Sequence, residues 1–223
     1  VYTSIKPIIN NYPSITFDGT GDYLEGSGLL GSMTDYTAFF VLKINQHKSY
    51  NWLYQNAPKG TTSSFSMSFT GSGNPRFWSG GNPSVDASNQ LDTSEFYILS
   101  LQHSNDSIPP TVFSENGFAD GTGSFNTTTH INDGYILGSF GTTNHYLNGD
   151  FAELAIYDRY LSNEERIAVE HYLRCKYFPT LCKPPVNLGP DIVVPYGYCD
   201  TILDAGNQYE QYLWSTGETT QTI

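Results

Sequence analysis

The chain has 223 residues, with 10 Lys+Arg against 22 Asp+Glu, a net charge of −12, and an aromatic content of 15% that exceeds its 14% of charged residues. This acidic balance excludes a basic face for nucleic acid and electrostatic docking on anionic membranes, and the aromatic content excludes disorder. No apolar run approaches the roughly 18 residues of a membrane helix, no signal peptide is visible, and the start at Val1 is expected of a mature product or an excised piece.

Residues 14–18, 36–44, 64–69, 95–103, 111–114, 135–138 and 150–157 are apolar or β-branched runs punctuated by Gly, Asn, Asp and Pro, which predicts short strands. Tyr36–Ile44 is almost continuously apolar, as in the core strand of a sandwich. Gly26-Ser-Gly-Leu-Leu-Gly31 satisfies G-x-G-x-x-G, but no βαβ context surrounds it, so it predicts a loop rather than a nucleotide site. Asn116-Gly117 predicts a hairpin turn, since both residues tolerate positive φ. Strands so spaced favour an all-β, two-sheet antiparallel sandwich.

One helix interrupts the pattern. Ser162-Asn-Glu-Glu165 reads as a capping box, and Val169, Tyr172, Leu173 and Lys176 follow at helical spacing to form a docking face. The helix is expected to end near Tyr177, before Pro179. All ten basic residues lie at or before Lys183, whereas five acidic residues fall in 184–223. This composition step, with prolines at 179, 184 and 185, divides the chain into a first domain (1–178), a stiff linker (179–186) and a tail (187–223). The tail offers strand-like runs at 192–194, 201–203, 211–214 and 219–223, too few to close a sandwich of about 100 residues. It therefore reads as the first part of an Ig-like module.

The three cysteines, Cys175, Cys182 and Cys199, make neither C-x-x-C nor a zinc-ribbon spacing. Cys175 and Cys182 are placed to pair across a short loop in an oxidising compartment; the alternative is three free thiols. His47, His103, His130, His145 and His171 show no metal-ligand spacing, and there is no G-x-S-x-G elbow.

Ser14-Ile-Thr-Phe-Asp-Gly-Thr-Gly-Asp-Tyr-Leu24 resembles the opening strand of laminin-G/concanavalin-A-like domains, and Tyr36-Thr-Ala-Phe-Phe-Val-Leu-Lys43 their second core strand. Val112-Phe-Ser-Glu-Asn-Gly117 and Tyr135-Ile-Leu-Gly138 resemble later pieces of the same pattern. The most specific match is Gly149-Asp-Phe-Ala-Glu-Leu-Ala-Ile-Tyr-Asp-Arg-Tyr-Leu-Ser162 with the helix behind it, similar to the ending of bacterial laminin-G-like modules. The resemblance spans about residues 13–178 and implies a jelly-roll sandwich with one C-terminal helix. The tail, with Leu188-Gly-Pro-Asp191, Leu203-Asp-Ala-Gly206 and Tyr212-Leu-Trp214, resembles Ig/PKD-like repeats of very large bacterial surface proteins exported by the type IX route. In such repeats a cysteine at the position of Cys199 pairs with one further downstream.

The resemblance implies a non-enzymatic, extracellular cell-surface module for adhesion or carbohydrate binding within a large secreted protein. A spacer or presentation domain is the alternative, and a glycoside hydrolase the remote one. Hydrolases on this fold carry E-x-D-x-x-E on one strand, where two carboxyls flank the scissile bond. Here Asp150 and Glu153 are three apart, which places them on opposite faces, and Glu153 is expected to pair with a base such as Arg159. Sugars stack on aromatics beside polar groups, which nominates Trp52, Tyr54 and Trp78, each with burial in the core as the alternative. The contact edge implied by the family adds Asn144, His145 and Tyr146. No cofactor is expected. Calcium, frequent in relatives, would draw on Asp18, Asp22, Asp120 or Asp150, each of which also suits an ordinary turn. The expected partners are a glycan or surface polysaccharide and other domains of the same chain, with no nucleic acid and no membrane insertion. The implied host glycosylates Asp-Ser/Thr followed by an aliphatic residue, which marks Ser107 and Thr201 as O-glycosylation acceptors, with Thr201 the less exposed.

Overall fold

The computed structural model describes residues 5–27, 35–49, 51–56, 66–79, 82–104, 111–116, 118–123, 134–140, 145–182, 188, 201–207, 212 and 214–223. Among these residues thirteen strands precede one α-helix: β1 (Ile5–Ile9), β2 (Tyr12–Asp18), β3 (Leu24–Gly26), β4 (Tyr36–Ile44), β5 (Asn51–Gln55), β6 (Ser66–Phe69), β7 (Pro75–Ser79), β8 (Asn82–Asp86), β9 (Tyr97–His103), β10 (Thr111–Glu115), β11 (Phe118–Gly123), β12 (Tyr135–Leu137), β13 (Asn148–Tyr157) and α1 (Asn163–Tyr177). They form a seven-stranded sheet, β1-β2-β13-β4-β9-β10-β11, and a six-stranded sheet, β3-β12-β5-β6-β7-β8. Every ladder is antiparallel. The fold is the expected all-β sandwich with one C-terminal helix.

The layering explains the sequence. Strand β4 is central in its sheet, and both of its faces are covered. Phe40 and Leu42 point into the core between the sheets, with Phe17, Met67, Phe77 and Leu99. Phe39 and Val41 point the other way, beneath α1, with Ile98, Leu161, Leu173 and Tyr177. A strand buried on both faces loses the polar alternation of a half-exposed strand, which is why Tyr36–Ile44 reads as continuously apolar. Each large apolar side chain so buried contributes about 1.5–3 kcal/mol.

The helix starts and stops as the sequence predicts. The Ser162 hydroxyl accepts from the Glu165 amide, while the Glu165 carboxylate accepts from the Ser162 amide. The docking face differs in detail: Leu173 and Tyr177 are buried with Glu170, but Tyr172 is 57% exposed. Glu170 is tolerated there because Arg166 donates to it at 2.6 Å and the Ser100 hydroxyl at 2.7 Å, satisfying the charge that burial would otherwise penalise. Beyond α1, Cys175 and Cys182 are joined as a disulfide with Cα atoms 4.5 Å apart. The bond encloses a 3-10 turn, Pro179–Leu181.

Two details of β13 correct the sequence reading. Its register shifts between Phe151 and Glu153, so that Asp150 opposes Lys43 while Glu153 opposes Val41. This bulge inserts one residue and brings Asp150 and Glu153 to the same face, the one beneath α1. Glu153 pairs with Lys176 at 2.9 Å, not with Arg159, which instead makes a bidentate pair with Glu165 at 2.7 and 2.8 Å. Both carboxylates are engaged within the fold, Glu153 with the helix and Asp150 with its own sheet: Asp150 accepts from the Thr16 hydroxyl at 2.6 Å and from the Asn45 amide at 3.3 Å.

In the tail, Leu203 and Ile223 exchange two backbone hydrogen bonds, and Asp204 bridges antiparallel to Thr222. Thr201 is exposed and lies outside any strand, which differs from the expectation of a more sheltered strand-opening residue. Ser107 and Cys199 lie outside the described residues.

Candidate functional site

The outer face of the six-stranded sheet is built differently from the rest of the molecule. Strand β6 is Ser66-Met-Ser-Phe69, and its alternation sends Met67 and Phe69 into the core and Ser66 and Ser68 outward. Register then assembles two transverse rows. One runs Ile136, Gln55, Ser66, Trp78 across β12, β5, β6 and β7, and the other Trp52, Ser68, Arg76, Asp86 across β5, β6, β7 and β8. Large indoles therefore flank a strand of small hydroxyls. The space above the serines lets the two tryptophans lean together, with ring centroids 5.3 Å apart and planes 27° from parallel. Phe140 stacks on Trp52 at 4.3 Å, and His145 meets Phe140 edge-on at 6.0 Å. Gly138 launches Phe140 from the end of β12. Its φ of +88° favours glycine, and a Cβ there would collide with the ring of Phe17.

Trp52 faces outward because of a bulge. Trp52 opposes Ser68, yet Tyr54 opposes Met67, so Leu53 is an inserted residue. Without it, Trp52 and Tyr54 would share a face, two residues apart. With it, Leu53 and Tyr54 both enter the core, and Tyr54 packs on Phe40 with ring centroids 6.1 Å apart. Tyr54 is fully buried, and burial, with Tyr135 nearby, raises its phenol well above the usual range. The sequence grouping of Trp52, Tyr54 and Trp78 is thus split: Trp52 and Trp78 come together, and Tyr54 lies on the far side of the sheet. His145 and Tyr146 are half-buried, and Tyr146 bridges antiparallel to Ser139, beside Phe140. Asn144 lies outside the described residues.

The polar chemistry of this face is partly engaged. The Trp78 indole N–H donates to the Ser68 hydroxyl at 2.6 Å, which fixes the plane of the ring. Arg76 makes two bonds of 2.6 Å to Asp86 and lies 5.6 Å from the centroid of Trp78. Burial, with a smaller contribution from Lys48, lowers the His145 pKa and favours the neutral imidazole. Two groups on the same face have no partner: the indole Nε1 of Trp52 and the hydroxyl of Ser66, in residues only 4% and 1% exposed. A buried donor without an acceptor costs about 1–3 kcal/mol, and both atoms are closed off beneath the outer surface, so the fold itself bears that cost.

Sequence reasoning missed Phe140, Gln55, Ser66 and Ser68. The signal for the serines was present as an alternation of small polar and large apolar residues between two tryptophan-bearing segments. Phe140 follows a glycine turn and has no periodic neighbour.

A concavity of about 520 Å³ lies elsewhere, between the C-terminal end of α1 and the β9/β10 edge, lined by Phe96, Arg174, Phe178 and Leu181 among others. Arg174 is engaged there with the Asn116 carbonyl at 2.7 Å.

Of the four aspartates considered for calcium, Asp18 accepts from the Thr20 amide and Asp120 from the Asn89 amide, as turn-forming carboxylates do. Asp22 is buried, and Asp150 is held by Thr16 and Asn45. Among the described residues, the one group of three potential metal ligands is His171 with Cys175 and Cys182, whose sulfurs are joined to each other.

Comparisons with known proteins agree with this architecture. No curated protein sequence matches the chain significantly. The native heptameric SAP-like pentraxin from Limulus polyphemus superposes with a TM-score of 0.59 at 14% identity, over 74% of this chain and 83% of that one. The CBM40 of the Ruminococcus gnavus IT-sialidase, bound to alpha2,3 sialyllactose, superposes with 0.51 at 16% identity, over 68% of this chain and 97% of that one. Trypanosoma rangeli sialidase superposes with 0.54 at 14% identity over 73% of this chain, which spans only 28% of the enzyme. Among the described residues, no helix is long and apolar enough to cross a membrane. Residues 18–165 match the sequence profile described as the concanavalin A-like lectin/glucanases superfamily, and the chain belongs to that family.

Proposed function

We propose that this chain is a non-catalytic carbohydrate-binding module, and that the outer face of the six-stranded sheet is its binding surface. One observation carries the reading: Phe140, Trp52 and Trp78 form an aromatic row over a strand of serines, with the Arg76–Asp86 pair beside Trp78. Aromatic planes take the C–H faces of a pyranose, and fixed donors and acceptors orient its hydroxyls. Trp78 and Phe140 are half-buried and offer ring surface, whereas Trp52 is 4% exposed and acts as the support between them. The likeness to a carbohydrate-binding module of a sialidase supports the class.

The non-catalytic reading rests on the state of the carboxylates. Glu153 is paired with Lys176 of the helix and Asp150 is hydrogen-bonded to Thr16 and Asn45, a poor setting for the acid and nucleophile of glycoside cleavage. The wider context belongs to the same proposal. The domain covers residues 1–178 and is followed by a linker (179–186) and the first part of an Ig-like module. It sits outside the cell in a larger adhesive surface protein, with Ser107 and Thr201 as acceptors for O-glycans.

Titration of the protein against a panel of neutral and acidic oligosaccharides tests the reading, with Trp78→Ala as the control. Binding that weakens about tenfold or more in the variant, with folding retained, is expected; a single lost stacking contact of about 1.5 kcal/mol corresponds to that factor. A second reading, a spacer with no ligand, draws support from the near-complete burial of Trp52. It predicts that no oligosaccharide binds and that Trp78→Ala changes nothing but local packing.

A further inference from the structure

Resting on the carbohydrate reading above, we infer that the aromatic face selects uncharged glycans over sialylated or uronate-bearing ones, and that the Arg76–Asp86 pair sets this selectivity. Recognition of a sugar carboxylate calls for a cation with unclaimed donors, and Arg is the residue best shaped for it. Arg76 stands in the right place, 5.6 Å from the centroid of Trp78. Its fork, however, is already closed on a carboxylate of the protein. Nε donates to Oδ1 of Asp86 and Nη2 to Oδ2, each at 2.6 Å, across neighbouring strands β7 and β8. The register forces this match, because Arg76 and Asp86 are direct cross-strand partners. Asp86 thus occupies the position that a sialic acid carboxylate would take on this guanidinium.

Two further basic groups near the face, among the described residues, are also poorly placed to take an anion. His145 is held toward its neutral form by burial and by Lys48. Lys48 itself donates to the Gly19 carbonyl at 3.0 Å and lies close enough to Asp18 to help lower its pKa. Asp86, with its side chain 46% exposed, adds repulsion toward an incoming anion, and the net charge of −12 acts in the same sense at longer range. Hydroxyls of a neutral sugar meet no such penalty. Specificity here comes as much from the anion already seated beside the aromatic platform as from the platform.

The test is an oligosaccharide array in which each neutral glycan is printed beside its sialylated and uronate-capped derivative, probed with the wild-type protein and with Asp86→Asn. Wild-type binding to neutral members is expected to exceed that to their acidic derivatives by about tenfold or more, the factor set by about 1.4 kcal/mol of discrimination. Asp86→Asn removes the competing carboxylate while leaving an amide to hold Arg76. It is expected to raise binding of the acidic members about tenfold and to leave the neutral ones within a few-fold. Acidic derivatives bound by the wild type as tightly as their neutral parents would overturn the selectivity and leave the carbohydrate reading intact. Absence of binding to every member would overturn the carbohydrate reading, and the selectivity with it. A melting curve of Asp86→Asn checks that it folds, and the wild-type comparison stands without it.

Discussion

The two outer faces of the sandwich answer the same problem in opposite ways. On the seven-stranded sheet, α1 covers Phe39, Val41 and Ile98 with Leu173 and Tyr177, and the carboxylates trapped beneath it each have a partner, Arg166 for Glu170 and Lys176 for Glu153. Among the described residues no helix covers the six-stranded sheet; aromatic rings and hydroxyls line its outer face, and two polar atoms buried there are unpaired. The first face is closed chemically as well as sterically. The second presents half-buried rings, Trp78 and Phe140, with no aliphatic cover over them among the described residues.

The contrast predicts that substitutions under the helix change stability without changing ligand affinity, and that substitutions on the aromatic face weaken binding out of proportion to their cost in stability. The largest effect is expected from Leu173→Ala. Leu173 is 1% exposed, so truncation should cost about 2–5 kcal/mol in chemical denaturation while the affinity of the folded fraction is unchanged. A simultaneous fall in affinity would break the comparison.

Next is the disulfide. Replacing Cys175 and Cys182 together by Ser releases a loop with sequence separation 7, and loop-closure entropy puts the loss at about 2 kcal/mol. Thermal melts of the double variant, which should match those of reduced wild-type protein, check this.

On the open face, Ser68→Ala removes the acceptor that orients Trp78. The expected cost is about 1 kcal/mol of stability, with a loss of oligosaccharide affinity out of proportion to it, because a free indole plane no longer presents a fixed stacking surface. Equal affinity in this variant would mean that ring orientation does not matter to binding.

The smallest effect concerns the start of the helix. Ser162→Ala should cost about 1 kcal/mol. The Arg159 guanidinium and the Ser162 amide hold the Glu165 carboxyl down at about 2. A depressed carboxyl pKa adds stability that is complete above its unfolded value and is lost as pH falls through the folded one. Helix α1 should therefore keep this contribution from neutral pH down to about pH 4.5, the usual glutamate value, and lose it toward pH 2. Acid titration of wild type against Glu165→Gln, followed by helix ellipticity, checks the sign: the two curves should converge at the acid end.

How far the sequence disclosed all this follows from burial. Strands β4, β9 and β13 and the capped helix were legible because they carry the core, and a core writes long apolar runs and strict caps into the chain. Strands β5, β7 and β8 were not legible, although two of them hold the tryptophans. They are short, and the Leu53 bulge breaks the period-two signal that would have separated Trp52 from Tyr54. The same kind of insertion, between Phe151 and Glu153, reversed the expected facing of the two carboxylates of β13. In both cases residue types were read correctly and phase was not, since one extra residue shifts the phase of every later side chain and leaves no mark in composition. The partners of Glu153 and Arg159 failed for a related reason: which cation lies nearest is decided where the helix lands.

The disulfide has a mechanical meaning as well. The chain continues beyond Cys182, so a pull from its C-terminal side reaches the sandwich through this point. Without the bond, tension would peel the 3-10 turn and then the last turn of α1, one hydrogen bond at a time, starting with the Phe178 amide on the Arg174 carbonyl. With it, the force passes from Cys182 directly to Cys175, inside the helix, and the intervening segment stays slack. Load then falls at once on Leu173 and Tyr177 and on the sheet beneath them. Rupture must break many contacts in parallel rather than a few in series, which turns a zipper into a rivet.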